Sequence, residues 1–200
     1  MLLYLIVELF LTEKQIILIT GTRKGIGRHL VEYYASFNYQ VIGCSRNDVE
    51  YSIDNYQHFI LDICDEKEVK KMFNQIRKSY GRLDVLINNA GNAHGLGKIQ
   101  EGDISDWDAM IDINVKGLLY VSKSIIPRMV ERNSGHIINI GSLAGKEVYA
   151  NGTVYCASKH AVDAITEGMR KDLHGYKIKV GAVHPGLVET NFSAVRFSAG

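Results

Sequence analysis

The stretch Gln15-Ile16-Ile17-Leu18-Ile19-Thr20-Gly21-Thr22-Arg23-Lys24-Gly25-Ile26-Gly27 decides how the rest of the chain is read. Its unbroken aliphatic run, Ile16 to Ile19, lacks polar alternation, as expected of a parallel strand buried on both faces between helices. Glycines come next at positions 21, 25 and 27, and Ile26 to Phe37 then has the spacing of a helix. A glycine-rich turn placed there lets the backbone approach a pyrophosphate, and the helix N-terminus adds N–H groups and the positive end of its dipole. A plain tight turn has a similar composition, so the meaning of the loop depends on the rest of the chain.

Downstream, β-branched runs alternate with amphipathic stretches of helical length. Strands are predicted at Val41 to Cys44, His58 to Leu61, Val85 to Ile87, His136 to Ile140 and Val180 to Val183. Helices are predicted over Glu66 to Tyr80, from Trp107 to Arg132, and over Thr153 to Leu173. Ser105 is placed as the N-cap of the long helix with Asp108 three residues on, and Pro127 should bend or locally break its last turns. No repeat, low-complexity run or linker interrupts the series. The expectation is one α/β domain over 15–200, a three-layer, doubly wound parallel sheet of six strands. An apolar extension, 1–14, precedes it. Its segment Met1 to Leu11 is too short to span a bilayer and is interrupted by Glu8, which leaves a misassigned start, a packed extension or a membrane-surface anchor.

Composition narrows the partners. Of 200 residues, 46% are hydrophobic and 22% charged, which describes one ordinary globular domain. Lys plus Arg is 23 against 22 for Asp plus Glu, so the reading is no nucleic acid and no membrane span. Cys44, Cys64 and Cys156 are odd in number and form no CxxC pair, the pattern of reduced thiols in a cytoplasmic protein with no metal site.

The chemistry-bearing residues lie further along. Tyr155 and Lys159 are spaced to share one helix face. A phenol of pKa about 10 is a poor base at neutral pH, and a neighbouring ammonium favours its ionised form. Ser142 lies thirteen residues before Tyr155 and adds a hydroxyl. The spacing Y-x-x-x-K is common by chance, and its weight comes from the residues around it.

The loop spacing G-x-x-x-G-x-G, then Asn88-Asn89-Ala90-Gly91, Asn114, Ser142, Tyr155, Lys159 and Pro185-Gly186-Leu187-Val188-Glu189-Thr190, in that order, resemble the short-chain dehydrogenases/reductases from Gln15 to Gly200. The resemblance implies a Rossmann-like fold and an enzyme transferring hydride between a nicotinamide cofactor and an alcohol or ketone. It makes Tyr155 the acid/base, Ser142 the group orienting the substrate oxygen, Lys159 the tuner of the phenol and a ribose ligand, and Asn114 a helix-bending residue that holds a relay water. It assigns cofactor contacts to Gly21, Thr22, Arg23, Lys24, Gly25, Ile26, Gly27, Asn88, Ala90, Gly91, Tyr155, Lys159, Pro185, Gly186, Val188 and Thr190. NAD-preferring members carry an acidic residue at the place of Ser45. Here Ser45 is neutral and Arg46 and Lys24 can reach a 2′-phosphate, so NADP(H) is the expected cofactor. Asp62 matches the residue near the adenine amino group, and could equally cap a loop.

Finer likeness in Trp107 to Asp112, Gly117 to Val121, Met129 to Ser142, Asp172 to Gly175 and Val195 to Phe197 points to the NADP-dependent 3-hydroxy acid (serine) dehydrogenases. The implied substrate is serine, allo-threonine or a related hydroxy acid. A 3-oxoacyl or general carbonyl reductase and a non-catalytic cofactor-binding remnant are the alternatives. Lys146, His94 and Arg196 are candidate partners for a substrate carboxylate. Family members continue for roughly fifty residues beyond the point matched by Gly200, so a seventh strand is expected to be missing and β-strand six to lie at a sheet edge. A homodimer or homotetramer is expected through helices 107–132 and 153–173.

Overall fold

The computed structural model describes residues 14–188. Six parallel strands form one sheet in the order β3-β2-β1-β4-β5-β6. They are β1 (Ile16–Thr20), β2 (Gln40–Ser45), β3 (Tyr56–Ile60), β4 (Val85–Asn88), β5 (Gly135–Ile140) and β6 (Ile178–Val183). The helices are α1 (Gly25–Ser36), α2 (Glu66–Tyr80), α3 (Ile104–Ile111), α4 (Leu118–Glu131) and α5 (Thr153–Asp172). This is the doubly wound architecture expected from the alternation, with β6 bonded only to β5 among the described residues. The apolar segment 1–11 lies outside them.

β1 is buried along its whole length, which explains its unalternating sequence. Ile17 and Ile19 pack with Val31, Val41 and Ile87 on one face, and Ile16 and Leu18 pack with Val69, Met72, Val121 and Ile137 on the other. Each such aliphatic side chain contributes about 1.5–3 kcal/mol on burial. β1 is therefore a rigid support for the loop at its end.

α2 is capped as its sequence dictates: the Asp65 carboxylate accepts from the Lys67 and Glu68 N–H groups, and Gly81 ends the helix at φ 74°. The long helix expected over 107–132 is three pieces. α3 starts earlier, at Ile104, and its N-cap is Asp103 rather than Ser105. The Asp103 carboxylate accepts both the backbone N–H and the hydroxyl of Ser105, each at 2.7 Å, so the stronger acceptor takes the cap. A π-helical segment, Asp112–Gly117, then joins α3 to α4. The irregularity thus falls at Asn114, whereas Pro127 does not end α4, which runs on to Glu131. Met110, Leu118, Val121 and Ile125 stay buried through the π turn, so the apolar periodicity carries no mark of it.

Candidate active site

Strand order reverses between β1 and β4, and a cleft of about 670 Å³ opens there along the carboxyl ends of the strands. At one end the glycine loop is folded tightly on itself. Gly21 and Gly25 have φ of 73° and 56°, which only glycine adopts without strain. A Cβ on Gly27 would lie 2.1 Å from the Gly21 carbonyl oxygen, and one on Gly21 would lie 2.8 Å from Ala90 Cα. Thr20 Oγ1 accepts the Asn89 and Ala90 N–H groups at 3.0 and 2.9 Å, and the Asn89 amide donates back to the carbonyls of Thr20 and Gly21 at 2.8 and 3.2 Å. Asn89, which the motif reading left out of the site, is thus the fastener between the two cofactor-end turns. The doublet Asn88-Asn89 was its signal.

α1 begins with no side-chain cap and no acidic residue in its first turn, and Gly25, Ile26 and Gly27 at its start line the cleft. Gly21, Arg23 and Lys24 complete this wall. Thr22 does not join it: the residue is buried, its hydroxyl bonded to Tyr56 Oη at 2.8 Å. Ser45, Arg46 and Asp62 line the neighbouring wall. Asp62 also caps a loop, its Oδ1 accepting the Cys64 N–H at 2.9 Å.

Behind Ser45 lies a hydrogen-bonded chain not anticipated from the sequence. His58 Nδ1 is 2.8 Å from Tyr56 Oη, and its Nε2 is 3.1 Å from Ser45 Oγ and 3.2 Å from the Asn47 carbonyl. Burial lowers the His58 pKa below its ordinary value, so the ring is neutral near pH 7, with one nitrogen to donate and one to accept. Tyr56 and His58 alternate on β3 and therefore share a face. That spacing was legible, but its destination was not.

Ala90 and Gly91 reach the cleft, while Asn88 stays behind it, 4% exposed, with its amide donating to Ser122 Oγ at 3.0 Å and Asn139 Oδ1 at 2.9 Å. Pro185, Gly186 and Val188 form the opposite lip. Thr190 and Arg196 fall outside the described residues.

At the other end the cleft meets Ser142, Tyr155 and Lys159 together. Ser142 Oγ accepts the Ala144 N–H at 3.1 Å and caps the short turn Leu143–Gly145, which leaves its proton to be donated elsewhere. Tyr155 and Lys159 lie one turn apart on α5, with Lys159 Nζ 6.0 Å from the Tyr155 ring centroid. Lys159 is 6% exposed, and its ammonium donates to the Ile140 carbonyl at 3.0 Å. Burial pushes its pKa down to about 8, and the Asp163 carboxylate opposes the fall. Asn114 does not line the cleft. Its amide donates to the Asn92 carbonyl at 2.9 Å and to Ser158 Oγ at 3.0 Å, and Ser158 in turn donates to the Tyr155 carbonyl at 2.7 Å. Asn114 therefore ties the β4 turn to the helix that carries the phenol.

A phenol, a hydroxyl with a free proton and a buried ammonium thus stand at one end of a groove whose other end is a glycine-lined helix N-terminus. That arrangement can hold an oxygen-bearing substrate against an elongated phosphorylated cofactor. Residues 15–199 match the family model described as short chain dehydrogenase. The NADP-dependent 3-hydroxy acid dehydrogenase YdfG of Salmonella typhi is 39% identical over 189 residues, covering 91% of this chain and 76% of that protein. A solved structure described as the closed form of serine dehydrogenase complexed with NADP+ superposes with a TM-score of 0.88 at 37% identity, covering 92% of this chain and 77% of that one. The structure of ElxO with NADP bound gives 0.85 at 33% identity, over 88% and 75% of the two chains. The glycine loop, the reversed strand order and the Ser142, Tyr155 and Lys159 cluster agree with these likenesses, and the chain belongs to the short-chain dehydrogenase family.

Proposed function

We propose that this protein is an NADP(H)-dependent oxidoreductase that interconverts a secondary alcohol and a ketone, with a 3-hydroxy acid such as serine or allo-threonine as substrate. The observation carrying the reading is the single cleft joining the glycine loop to Ser142, Tyr155 and Lys159. The residues present fit the cofactor. Positive-φ glycines and an uncapped helix start suit a pyrophosphate, and Arg23, Lys24 and Arg46 border the same end as a neutral Ser45. NADP(H), when bound, supplies the hydride chemistry.

The chain's own part is position and proton transfer. Tyr155 gives its hydroxyl proton to a carbonyl oxygen, or takes one from an alcohol, and the Lys159 ammonium on the same helix face favours the ionised phenol. Ser142, its oxygen already accepting from Ala144, donates its proton to the same substrate oxygen and fixes its place. Asn114 keeps the β4 turn and α5 in register.

One observation favours a second reading, an uncharged apolar ketone or 3-oxoacyl substrate. Beside Ser142 and Tyr155 the cleft is lined by Ala93, Leu143, Val148, Tyr149 and Leu187, with the exposed Glu147. Of the candidate carboxylate partners, Lys146 is paired with Asp163 at 2.7 Å and His94 lines a separate pocket of about 40 Å³. Initial rates with NADP and serine, allo-threonine or 3-hydroxybutyrate, set against NADPH with apolar ketones, separate the two. Tyr155→Phe should reduce either activity by about 10²–10⁴-fold while NADPH binding stays near wild type. Full activity in that variant sinks the assignment of the proton donor.

Assembly is proposed through α3–α4 and α5, where Leu119 is 40% exposed, and sedimentation velocity reads whether a dimer or tetramer forms. No helix among the described residues is long and apolar enough to cross a membrane. A cytoplasmic location is proposed from the unpaired cysteines, and fractionation of cells tests it.

A further inference from the structure

Tyr155, Lys159 and Asp163 succeed one another at four-residue steps along α5, and Asp163 is the one the dehydrogenase reading does not use. Its carboxylate sits where three segments meet. Oδ1 is 2.5 Å from Nε2 of His184, which immediately precedes the Pro185-Gly186 lip. Oδ2 is 2.7 Å from Nζ of Lys146, just beyond the Ser142 turn. The same two segments are joined by backbone bonds from the Gly141 N–H to the Val183 carbonyl at 2.8 Å and from the Leu143 N–H to the Pro185 carbonyl at 3.1 Å.

The surroundings are shaped around this junction. A Cβ on Gly141 would lie 2.8 Å from His184 Cδ2, and one on Gly145 would lie 2.7 Å from the Lys159 carbonyl oxygen and 3.4 Å from Asp163 Oδ2. Neither glycine has a positive φ, so closeness to the cluster is what excludes a side chain. The carboxylate side chain is 18% exposed and would be costly to leave unpaired.

We propose that Asp163 is a positioning residue of the active site: it clamps the Ser142 turn and the Pro185-Gly186 lip to α5 and supplies the counter-charge of the Lys159 ammonium. Among the described residues, four titratable side chains surround Asp163. Tyr155 and Lys159 come from α5 itself, Lys146 from the turn after β5, and His184 from the end of β6, while β5 offers only the Ile140 carbonyl. Burial pushes the Asp163 carboxyl up, yet Lys146 and His184 bring it below the ordinary carboxylate value, so it is ionised at neutral pH. Burial also drives Lys159 down to about 8, and Asp163 is the charge that resists this. Removing that charge should let Lys159 discharge at a lower pH and leave the Ser142 turn and the lip free to shift.

This inference rests on the dehydrogenase reading, and its test separates the two. The proteins compared are wild type, Asp163→Asn and Asp163→Glu, with His184→Gln in reserve should Asp163→Asn fail to fold. NMR of 13Cε-labelled lysine titrates Lys159 without any turnover. The expected result is a downward move of about one pH unit in Asp163→Asn and recovery of most of it in Asp163→Glu. With NADPH and the best carbonyl substrate, the alkaline limb of kcat/KM should move down by the same amount in Asp163→Asn, and kcat should fall about 10–100-fold. His184→Gln, which keeps the carboxylate but loosens the lip, should raise the KM for NADPH several-fold and leave the Lys159 titration near wild type. A merely structural Asp163 would lower thermal stability and scale the rate at every pH without moving either titration, and that result overturns the proposal. A shifted Lys159 titration in a protein with no NADPH turnover would uphold the electrostatic clamp while sinking the functional reading.

Discussion

The Asn114 side chain grips the backbone of Asn92 from both sides, its Oδ1 accepting the Asn92 N–H at 2.8 Å and its Nδ2 donating to the Asn92 carbonyl at 2.9 Å. Both partners are far apart in sequence, and the side chain making the grip is 2% exposed. Asn114→Ala strands a backbone donor and acceptor, at a cost of about 2–4 kcal/mol. Differential scanning calorimetry should show a fall in Tm of about 5–15 °C, accompanied by loss of activity. An unchanged Tm would mean that water or a shifted neighbour replaces both bonds.

Cofactor choice should be separable from catalysis. On the proposed reading Arg46 pairs with the 2′-phosphate, a charge-assisted contact worth about 1.5–3 kcal/mol, so in Arg46→Ala NADPH affinity should drop about 10–100-fold while NADH is little affected. Ser45→Asp puts a carboxylate beside the 2′-phosphate and should lower the preference further. Equal losses for both cofactors, read by fluorescence titration, would place the 2′-phosphate elsewhere.

Gly27 has no room for a methyl group, since its Cβ would lie 2.1 Å from the Gly21 carbonyl oxygen and 2.6 Å from Asn89 Nδ2. Gly27→Ala should cost about 1–3 kcal/mol through overpacking and should abolish measurable NADPH binding by displacing the loop. Retention of wild-type affinity in that variant would contradict the loop's role.

Lys159 gives the apo protein a pH dependence of defined sign. Burial holds its pKa at about 8, against the ordinary 10.5, so between those values the unfolded chain keeps a proton that the folded chain has lost. Stability from this group therefore rises with pH across that window, by up to about 1.4 kcal/mol per unit, and is level below it. Urea unfolding of wild type and Lys159→Met at about pH 7.5 and about pH 9.5 isolates the effect, because other groups cancel in the difference. The difference should shift toward wild type at the higher pH, and a shift the other way rejects a buried ammonium at this position.

Local sequence carried the order of strands and helices because burial and backbone preference act over a few residues. The run Ile16 to Ile19 and the glycines at 21, 25 and 27 announced a buried strand, a tight loop and a helix start, and each formed where expected. The apolar periodicity around Asn114 gives no sign of the π turn at Asp112–Gly117, because the apolar face survives it, and only the family resemblance points to a bend there. Ser105 has the chemistry of a cap, but Asp103, two residues earlier, is the better acceptor and holds the position.

By itself the sequence determined which chemical groups this protein brings and in what order: a glycine loop, three cations near it, then a hydroxyl, a phenol and an ammonium. Only the tertiary structure decided which of them share the cleft. It turned Thr22 and Asn88 inward, made Asn89 and Asn114 fasteners, and set Asp163 between Lys146 and His184. The physical reason is range: periodicity and propensity fix φ, ψ and burial over a helical turn or a strand. The meeting of Asp163 with His184 depends on how β5 and β6 register and how α5 packs across them, which no short stretch of sequence contains.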